Sequence, residues 1–133
     1  MNREFAPYEQ SLALKELGFN EPCILLYRGL DTQPVCQIGY EFKTEKNSDY
    51  NDETNYWLTV PTFSQAFRWF REKYNLDSFV KHLYKSTIKV GYYFGIDEYK
   101  GVEFQMDFDA WYKTYEEAEL ACLIKLIEIV KNK

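Results

Sequence analysis

The fold is decided by the stretch TYEEAELACLIKLIEIVKNK, residues 114–133. On a helical wheel of about 3.6 residues per turn, its apolar side chains fill more than half of the circumference. These side chains are Ala118, Leu120, Cys122, Leu123, Leu126, Ile127, Ile129 and Val130. A helix that lies on a surface needs an apolar stripe of only about 100°. We therefore predict a central, mostly buried C-terminal helix that packs against a sheet and is flanked by another helix.

The start of this helix is marked by a capping box. Thr114 is followed three residues later by Glu117, and in this pattern each side chain satisfies a backbone N–H that has no partner inside the helix. Acidic residues crowd the first turn and lysines lie toward the end, which suits the helix dipole.

Two more helices are predicted upstream. The first covers residues 8–17 and ends at Gly18, with Phe19 packing back on Leu14 as in a Schellman motif. The second covers residues 63–74, where apolar side chains recur at helical spacing. Residues 1–7 are expected to be a loosely held lead-in.

The strands are predicted as two antiparallel hairpins. Residues 23–27 are continuously apolar and residues 36–42 alternate, which is typical of a buried strand paired with a half-buried one. Residues 88–94 and 102–108 alternate in the same way around a GIDEYKG loop, while residues 75–86 fit either a short strand or a helical turn. We predict one α+β domain, residues 1–133, with an antiparallel sheet of about four strands and three helices.

Composition limits the possible functions. The net charge of −5 disfavours a nucleic-acid binder, whose affinity comes mainly from neutralising phosphates. No segment resembles a signal peptide or a membrane span, so a cytoplasmic protein without membrane contact is expected. His82 is the only histidine and the three cysteines form no CxxC pair, which indicates no cofactor and reduced thiols.

Aromatic residues make up 19% of the chain, more than a core of this size explains by periodicity alone. Most of them are expected in the core and on the sheet. Since Tyr and Trp are enriched at interfaces, the rings outside the helical and strand patterns are candidates for binding a partner. These rings are Trp57, Trp69, Trp111 and Tyr112.

Acidic side chains share one face of the last predicted strand, because strand residues alternate between two faces. Glu103, Asp107 and Asp109 could therefore bind a metal or act as an acid–base pair. The favoured interpretation is a solvated edge strand whose charges prevent edge-to-edge pairing.

The helix 63–74 also carries basic side chains next to rings. Arg68, Arg71 and Lys73 alternate with Trp69 and Phe70, a pattern that occurs where proteins stack on single-stranded nucleic acid. The rings other than Trp69 fall at core spacing, so a structural role is favoured.

Three blocks together suggest a family: YEQSLALKELGFNEPC, PTFSQAFRWFREKYNL and TYEEAELACLIKLIEIVK, residues 8–23, 61–76 and 114–131. They resemble a family of small uncharacterised proteins of bacterial prophages and related mobile elements. The resemblance implies an accessory protein that contacts another protein or phage nucleic acid, and it supplies no activity and no site.

The sequence thus predicts a non-enzymatic accessory protein that binds an unknown protein or associates with itself. The alternatives are a metal-assisted hydrolase or nuclease that uses the acidic strand face, and a nucleic-acid-binding accessory protein. The last alternative requires an exposed positive patch despite the acidic total.

Overall fold

A computed structural model describes residues 4–28, 35–36, 57–98, 104–105 and 111–133, with the backbone alone at residues 28, 35–36, 57, 98 and 104–105. Within these ranges there are three helices and six strands. The helices are α1 (Tyr8–Glu16), α2 (Phe63–Tyr74) and α3 (Tyr115–Lys131). The strands are β1 (Leu25–Arg28), β2 (Val35–Cys36), β3 (Trp57–Val60), β4 (Leu76–Lys85), β5 (Ile88–Glu98) and β6 (Phe104–Gln105).

The chain divides into two compact units, residues 1–64 and 65–133, and the prediction of one domain stays a prediction. The first unit contains an antiparallel sheet in the order β2-β1-β3. Its core consists of Leu25, Tyr27, Leu58 and Val60, which alternate along β1 and β3 and so share one face. Phe5, Tyr8 and Leu12 pack against this core, with the Tyr8 ring edge-on to that of Tyr27.

Helix α1 ends as the sequence predicts. The N–H of Gly18 donates to the carbonyl of Lys15, and the N–H of Phe19 donates to that of Leu14, which is the hydrogen-bond pattern of a Schellman motif. Gly18 has a φ of 99°, a conformation that glycine adopts without a steric penalty. Leu14 and Phe19 are both buried.

Residues 4–6 of the predicted lead-in are held more firmly than predicted. Phe5 forms a β-bridge with Thr62, the N–H of Ala6 donates to the carbonyl of Pro61, and Ala6 is buried. Residues 4–6 are therefore tied to the chain just before α2 by backbone hydrogen bonds, which the sequence pattern of this segment does not indicate.

The second unit contains an antiparallel sheet in the order β4-β5-β6. Most of the ambiguous segment 75–86 forms the long strand β4, which pairs with β5 with one register shift between Leu83 and Tyr84, where the pairing skips Val90. Positive φ angles mark both of its ends, at Asn75 after α2 and at Ser86 in the tight turn to β5. The second predicted hairpin is confirmed where it is described, since Ile96 pairs with Gln105 and Asp97 with Phe104.

Helix α3 packs on β4 and β5. The residues of α3 that are buried are Ala118, Cys122, Leu123, Leu126 and Ile127. The hydroxyl of Thr114 accepts a hydrogen bond from the N–H of Glu117, as the capping box predicts. Ile124 is 45% exposed, so one side of the helix faces water. The predicted α+β class, with antiparallel strands and three helices, is confirmed, with its strands distributed over two sheets.

Candidate functional site

Large apolar side chains are exposed at the end of the β4–β5 hairpin, residues 81–90, which we call the hairpin end. Ile88 is 67% exposed and Tyr84 is 57% exposed, and Val90 is also exposed. Trp111, 49% exposed, lies against Gly91 just beyond this segment. Burying a large apolar side chain normally stabilises the folded state by about 1.5–3 kcal/mol. The exposed parts of these side chains do not provide this stabilisation.

The same hairpin is basic within an acidic chain. From residue 78 to residue 96 there is no Asp or Glu, whereas Lys81, His82, Lys85 and Lys89 all fall in this interval. Each of these four side chains is exposed. The hairpin end is therefore a local positive patch in a protein of net charge −5.

On the face of the sheet that α3 covers, a cluster forms around Tyr92. His82 pairs directly with Tyr92 across the strands, and the two ring centroids are 4.7 Å apart. The Lys89 ammonium donates a hydrogen bond of 2.8 Å to the Tyr92 hydroxyl and lies 4.6 Å from the ring centroid. The Tyr115 ring, from the first turn of α3, meets the Tyr92 ring edge-on. Tyr92 is thus enclosed by an imidazole, an ammonium and a second phenol.

On the opposite face, two glycines of β5 lie beneath aromatic rings. The Phe79 ring lies on Gly95, its direct partner in the register, and the Lys81 ammonium lies 4.7 Å from the centroid of that ring. The Tyr93 ring meets the Phe79 ring edge-on. A glycine has no side chain to cover its part of the strand, and a ring that lies on it shields the backbone there from solvent.

Trp111 covers the second glycine. A Cβ at Gly91 would lie 2.7 Å from Cε3 of Trp111 and 2.5 Å from the carbonyl oxygen of Tyr112. Tyr112 forms a β-bridge with Tyr92 through two backbone hydrogen bonds of 2.8 Å, which brings this segment to the side of β5. Only a glycine at position 91 allows the Trp111 ring to approach the backbone this closely.

The predicted partner-binding rings have different surroundings. Trp111 is exposed, and Tyr112 is half-buried with its ring near Phe94. Trp69 is only 6% exposed and meets the rings of Phe70 and Tyr74 edge-on, so the prediction that it is part of a binding surface is wrong. The side chain of Trp57 lies outside the described part of the structure.

The sequence pattern leaves Trp69 outside the buried stripe that it predicts for α2, which consists of Phe63, Ala66, Phe67, Phe70 and Tyr74. An indole is large enough to reach the core from a flanking position, and it is buried between its ring neighbours. Phe67, which was predicted to be buried, is half-buried instead.

The basic residues of α2 are on the surface. Arg68 and Arg71 are exposed, and they lie three residues apart on one side of the helix. The Lys73 ammonium lies 5.0 Å from the centroid of the Trp69 ring and 5.6 Å from that of Tyr74. The alternation of basic residues and rings in this helix is therefore explained in part by the Lys73 ammonium, which lies over the buried Trp69 ring and the half-buried Tyr74 ring.

The candidate metal ligands Glu103, Asp107 and Asp109 lie outside the described residues. Within the described ranges, no group of three or more His, Cys, Asp or Glu side chains could hold a metal ion. The metal site at the acidic strand face stays a prediction.

The hairpin end is the feature that sequence reasoning missed. Its signal was present in the run of 19 residues without an acidic side chain, in a chain that has 21 acids among 133 residues. The basic residues of α2 give the more conspicuous pattern, because three of them fall within six residues and alternate with rings.

Cys122 is a buried thiol that contacts the sheet. Burial raises its pKa to about 12, a hydrogen bond with the Ser78 side chain lowers the pKa, and Glu119 raises it. A thiol with such a pKa stays protonated near neutral pH and is a poor nucleophile.

No protein-family model matches this chain, and no curated protein and no solved structure matches it either. The resemblance to prophage proteins therefore stays a prediction. None of the helices in the described ranges is long and apolar enough to span a bilayer.

Proposed function

We propose that this protein is a non-enzymatic accessory protein of a prophage or related mobile element, which acts in the cytoplasm by binding another protein through its hairpin end. The exposure of Tyr84 and Ile88, together with the neighbouring Trp111, is the observation that carries the proposal. Ile88 and Trp111 lie on the face of the hairpin away from α3, and Tyr84 lies on the face of His82, so both faces of the hairpin end carry exposed apolar side chains. Large exposed apolar side chains beside polar residues are a mark of protein-interaction sites.

The surroundings of these side chains support the proposal. Tyr and Trp anchors are enriched among the residues that dominate binding energy, and here each is placed by a strand or by the glycine beneath it. Rigid anchors lose little conformational entropy on binding. The lysines beside them supply the polar rim that interfaces usually have.

The proposal is tested by comparing three variants with the wild-type protein. Tyr84→Thr with Ile88→Thr removes the exposed apolar surface but keeps β-branched side chains in the hairpin. Trp111→Ala removes the neighbouring ring. Ile124→Ala is the matched control, because it trims an exposed apolar side chain on α3, away from the hairpin end.

A protein captured from cells that carry the element is identified, purified and titrated against each variant. We expect the double variant to weaken binding at least about tenfold and Trp111→Ala to weaken it by a similar factor, with little change for Ile124→Ala. Equal binding by all four proteins would refute the proposal. Sedimentation of the isolated protein shows whether the captured partner is a second copy of this chain.

A nucleic-acid partner is the second candidate, favoured by the acid-free basic hairpin. Three lysines contact few phosphates, so affinity would be weak and would fall steeply with salt. Fluorescence polarisation with a labelled single-stranded oligonucleotide tests it. The pairs Lys85→Glu with Lys89→Glu and Arg68→Glu with Arg71→Glu change the net charge equally and distinguish the hairpin from α2.

The metal-assisted hydrolase alternative is tested separately through Glu103, Asp107 and Asp109. A thermal melt in millimolar Mg²⁺, Mn²⁺ or Ca²⁺ should shift upward if these carboxylates bind a metal, since a ligand that binds only the folded state stabilises it. An unchanged melting temperature with all three ions excludes the alternative.

A further inference from the structure

We infer that the hairpin end binds an extended acidic peptide segment of the partner, which adds as a strand along residues 81–85 of β4. This inference rests on the proposed function and names the chemistry of its partner. It is carried by three observations: the position of β4 in its sheet, the charge of the hairpin end, and the occupied faces of the neighbouring Phe79 and Tyr92 rings.

Strand β4 is an outer strand among the described residues, since the sheet has the order β4-β5-β6. An outer strand directs the N–H and C=O groups of every second residue away from its neighbour. Between Lys81 and Lys85, every side chain is exposed except that of Leu83, which is half-buried. This part of the edge is accessible to an added strand, a common way for a folded domain to bind a peptide.

The charges along this edge indicate which residues the bound peptide should have. Lys81 and Lys85 fall on one face of β4 by strand alternation, and His82 and Tyr84 fall on the other, where their rings are 6.0 Å apart. A strand laid beside this edge would therefore place carboxylates next to the two lysines and apolar side chains next to the two rings. Acidic residues alternating with apolar ones are the pattern that fits.

A second copy of the hairpin does not fit this edge. Lysines on an outer strand repel an identical strand, which is how natural sheets discourage edge-to-edge pairing. An acidic strand instead neutralises these charges. The edge is thus protected against self-pairing and remains open to a partner of opposite charge.

Two rings beside the hairpin end, those of Phe79 and Tyr92, are poorly placed for stacking on bases. Base stacking needs an open ring face. The Phe79 ring has Gly95 against it and the Lys81 ammonium over it, while Tyr92 has the His82 ring and the Lys89 ammonium close to its ring. The rings hold these ammonium groups in place, which favours contact with carboxylates over contact with bases.

The test uses the full chain and a labelled peptide of about seven residues, a usual strand length, in which Glu alternates with Val. Three further probes are compared with it: the same peptide with Lys in place of Glu, the same peptide N-methylated at alternate residues, and oligothymidine. N-methylation removes the N–H donors that a strand needs while leaving the charges in place, so no change in the protein is required.

We expect the acidic peptide to bind and the lysine and N-methylated peptides to bind at least about tenfold more weakly. Lys81→Glu with Lys85→Glu should weaken binding of the acidic peptide by roughly tenfold, whereas Arg68→Glu with Arg71→Glu should change it less than about twofold. Amide hydrogen exchange should slow at alternate residues of 81–85 when the acidic peptide is bound.

Several results would overturn the inference: no binding of the acidic peptide at about 1 mM, equal binding of the N-methylated peptide, or tighter binding of oligothymidine. If any of these occurs while capture of the protein partner still depends on Tyr84 and Ile88, the inference fails and the proposed function stands. If capture is independent of those residues, the proposed function fails as well.

Discussion

The ring of Phe79 lies directly on Gly95, its partner across the β4–β5 pair, so that a Cβ at position 95 would overlap the ring. Strand β4 therefore supplies the ring at this pair of positions, and β5 supplies the space that the ring fills. The Lys81 ammonium and the Tyr93 ring then pack around Phe79. These contacts hold the Lys81 side chain on the same face of the sheet as the Phe79 ring.

Replacing Gly95 by Ala should destabilise the protein, because the added methyl group displaces the Phe79 ring. Overpacking of this kind costs about 1–3 kcal/mol. Urea denaturation followed by circular dichroism measures the change in the free energy of unfolding.

A double-mutant cycle shows whether Phe79 is the cause. In a Phe79→Ala background, Gly95→Ala should be nearly neutral, since the ring it displaces is gone and alanine suits a strand at least as well as glycine does. The same cost in both backgrounds would mean that the methyl group clashes with something other than the ring.

Replacing the two tryptophans of the second unit should have opposite effects: loss of Trp69 should mainly reduce stability, and loss of Trp111 should mainly reduce binding. Trp69→Ala removes a buried ring and should cost about 3–5 kcal/mol, whereas Trp111→Ala removes a half-exposed ring and should cost about 1 kcal/mol. Urea midpoints measure the difference. Partner capture, compared at a temperature where both variants are folded, should fall for Trp111→Ala only; a stability loss at Trp111 as large as at Trp69 would contradict this assignment.

The helices could be predicted from the sequence because their signals are local. Gly18 after Leu14 marks the end of α1, and Thr114 before Glu117 marks the start of α3; each is a pattern of a few residues whose hydrogen bonds close within the same segment. The bounds of α2 agree with the sequence because its apolar side chains recur at helical spacing from Phe63 to Tyr74.

Strand β4 could not be predicted because its signals depend on its neighbours. Phe79 and Val80 are adjacent apolar residues and break the alternation, and Phe79 is accommodated only by Gly95 on the other strand. The turn to β5 uses Ser86 at a φ of 61° in place of the usual Asn-Gly or Gly, so the hairpin has no turn signature. Of the candidate site, Trp111 was predicted, whereas the acid-free run of residues 78–96 marks the basic hairpin end in the sequence without showing that it forms the end of a hairpin.

Removing the N-cap of α3 should destabilise the second unit. In Thr114→Ala the N–H of Glu117 loses its acceptor, which costs about 1 kcal/mol, while Thr114→Ser keeps a hydroxyl and should cost much less. Urea denaturation of the two variants measures both values. Equal costs for the two would show that the methyl group of Thr114, rather than its hydroxyl, contributes the stability.

The stability of the protein should fall in alkali, in part through Cys122. Burial raises the pKa of this thiol from an ordinary 9.0 to about 12, despite the opposing hydrogen bond with Ser78, so the folded state holds the proton more tightly than the unfolded state does. The stabilising contribution is complete below about pH 9 and is lost as the pH rises toward the folded value. Burial also raises the pKa values of Tyr27 and Tyr115, which adds a loss in the same direction at higher pH.

The share due to Cys122 is isolated with Cys122→Ala, which has no thiol to ionise. Between about pH 8 and about pH 10, the wild type should lose roughly 1 kcal/mol more unfolding free energy than the variant does. Urea denaturation at the two pH values gives this difference, and the two tyrosines cancel because both proteins contain them. Parallel pH dependence in the two proteins would mean that the thiol is hydrated in the folded state, and the packing of α3 on β4 at Ser78 would then be looser than the structure has it.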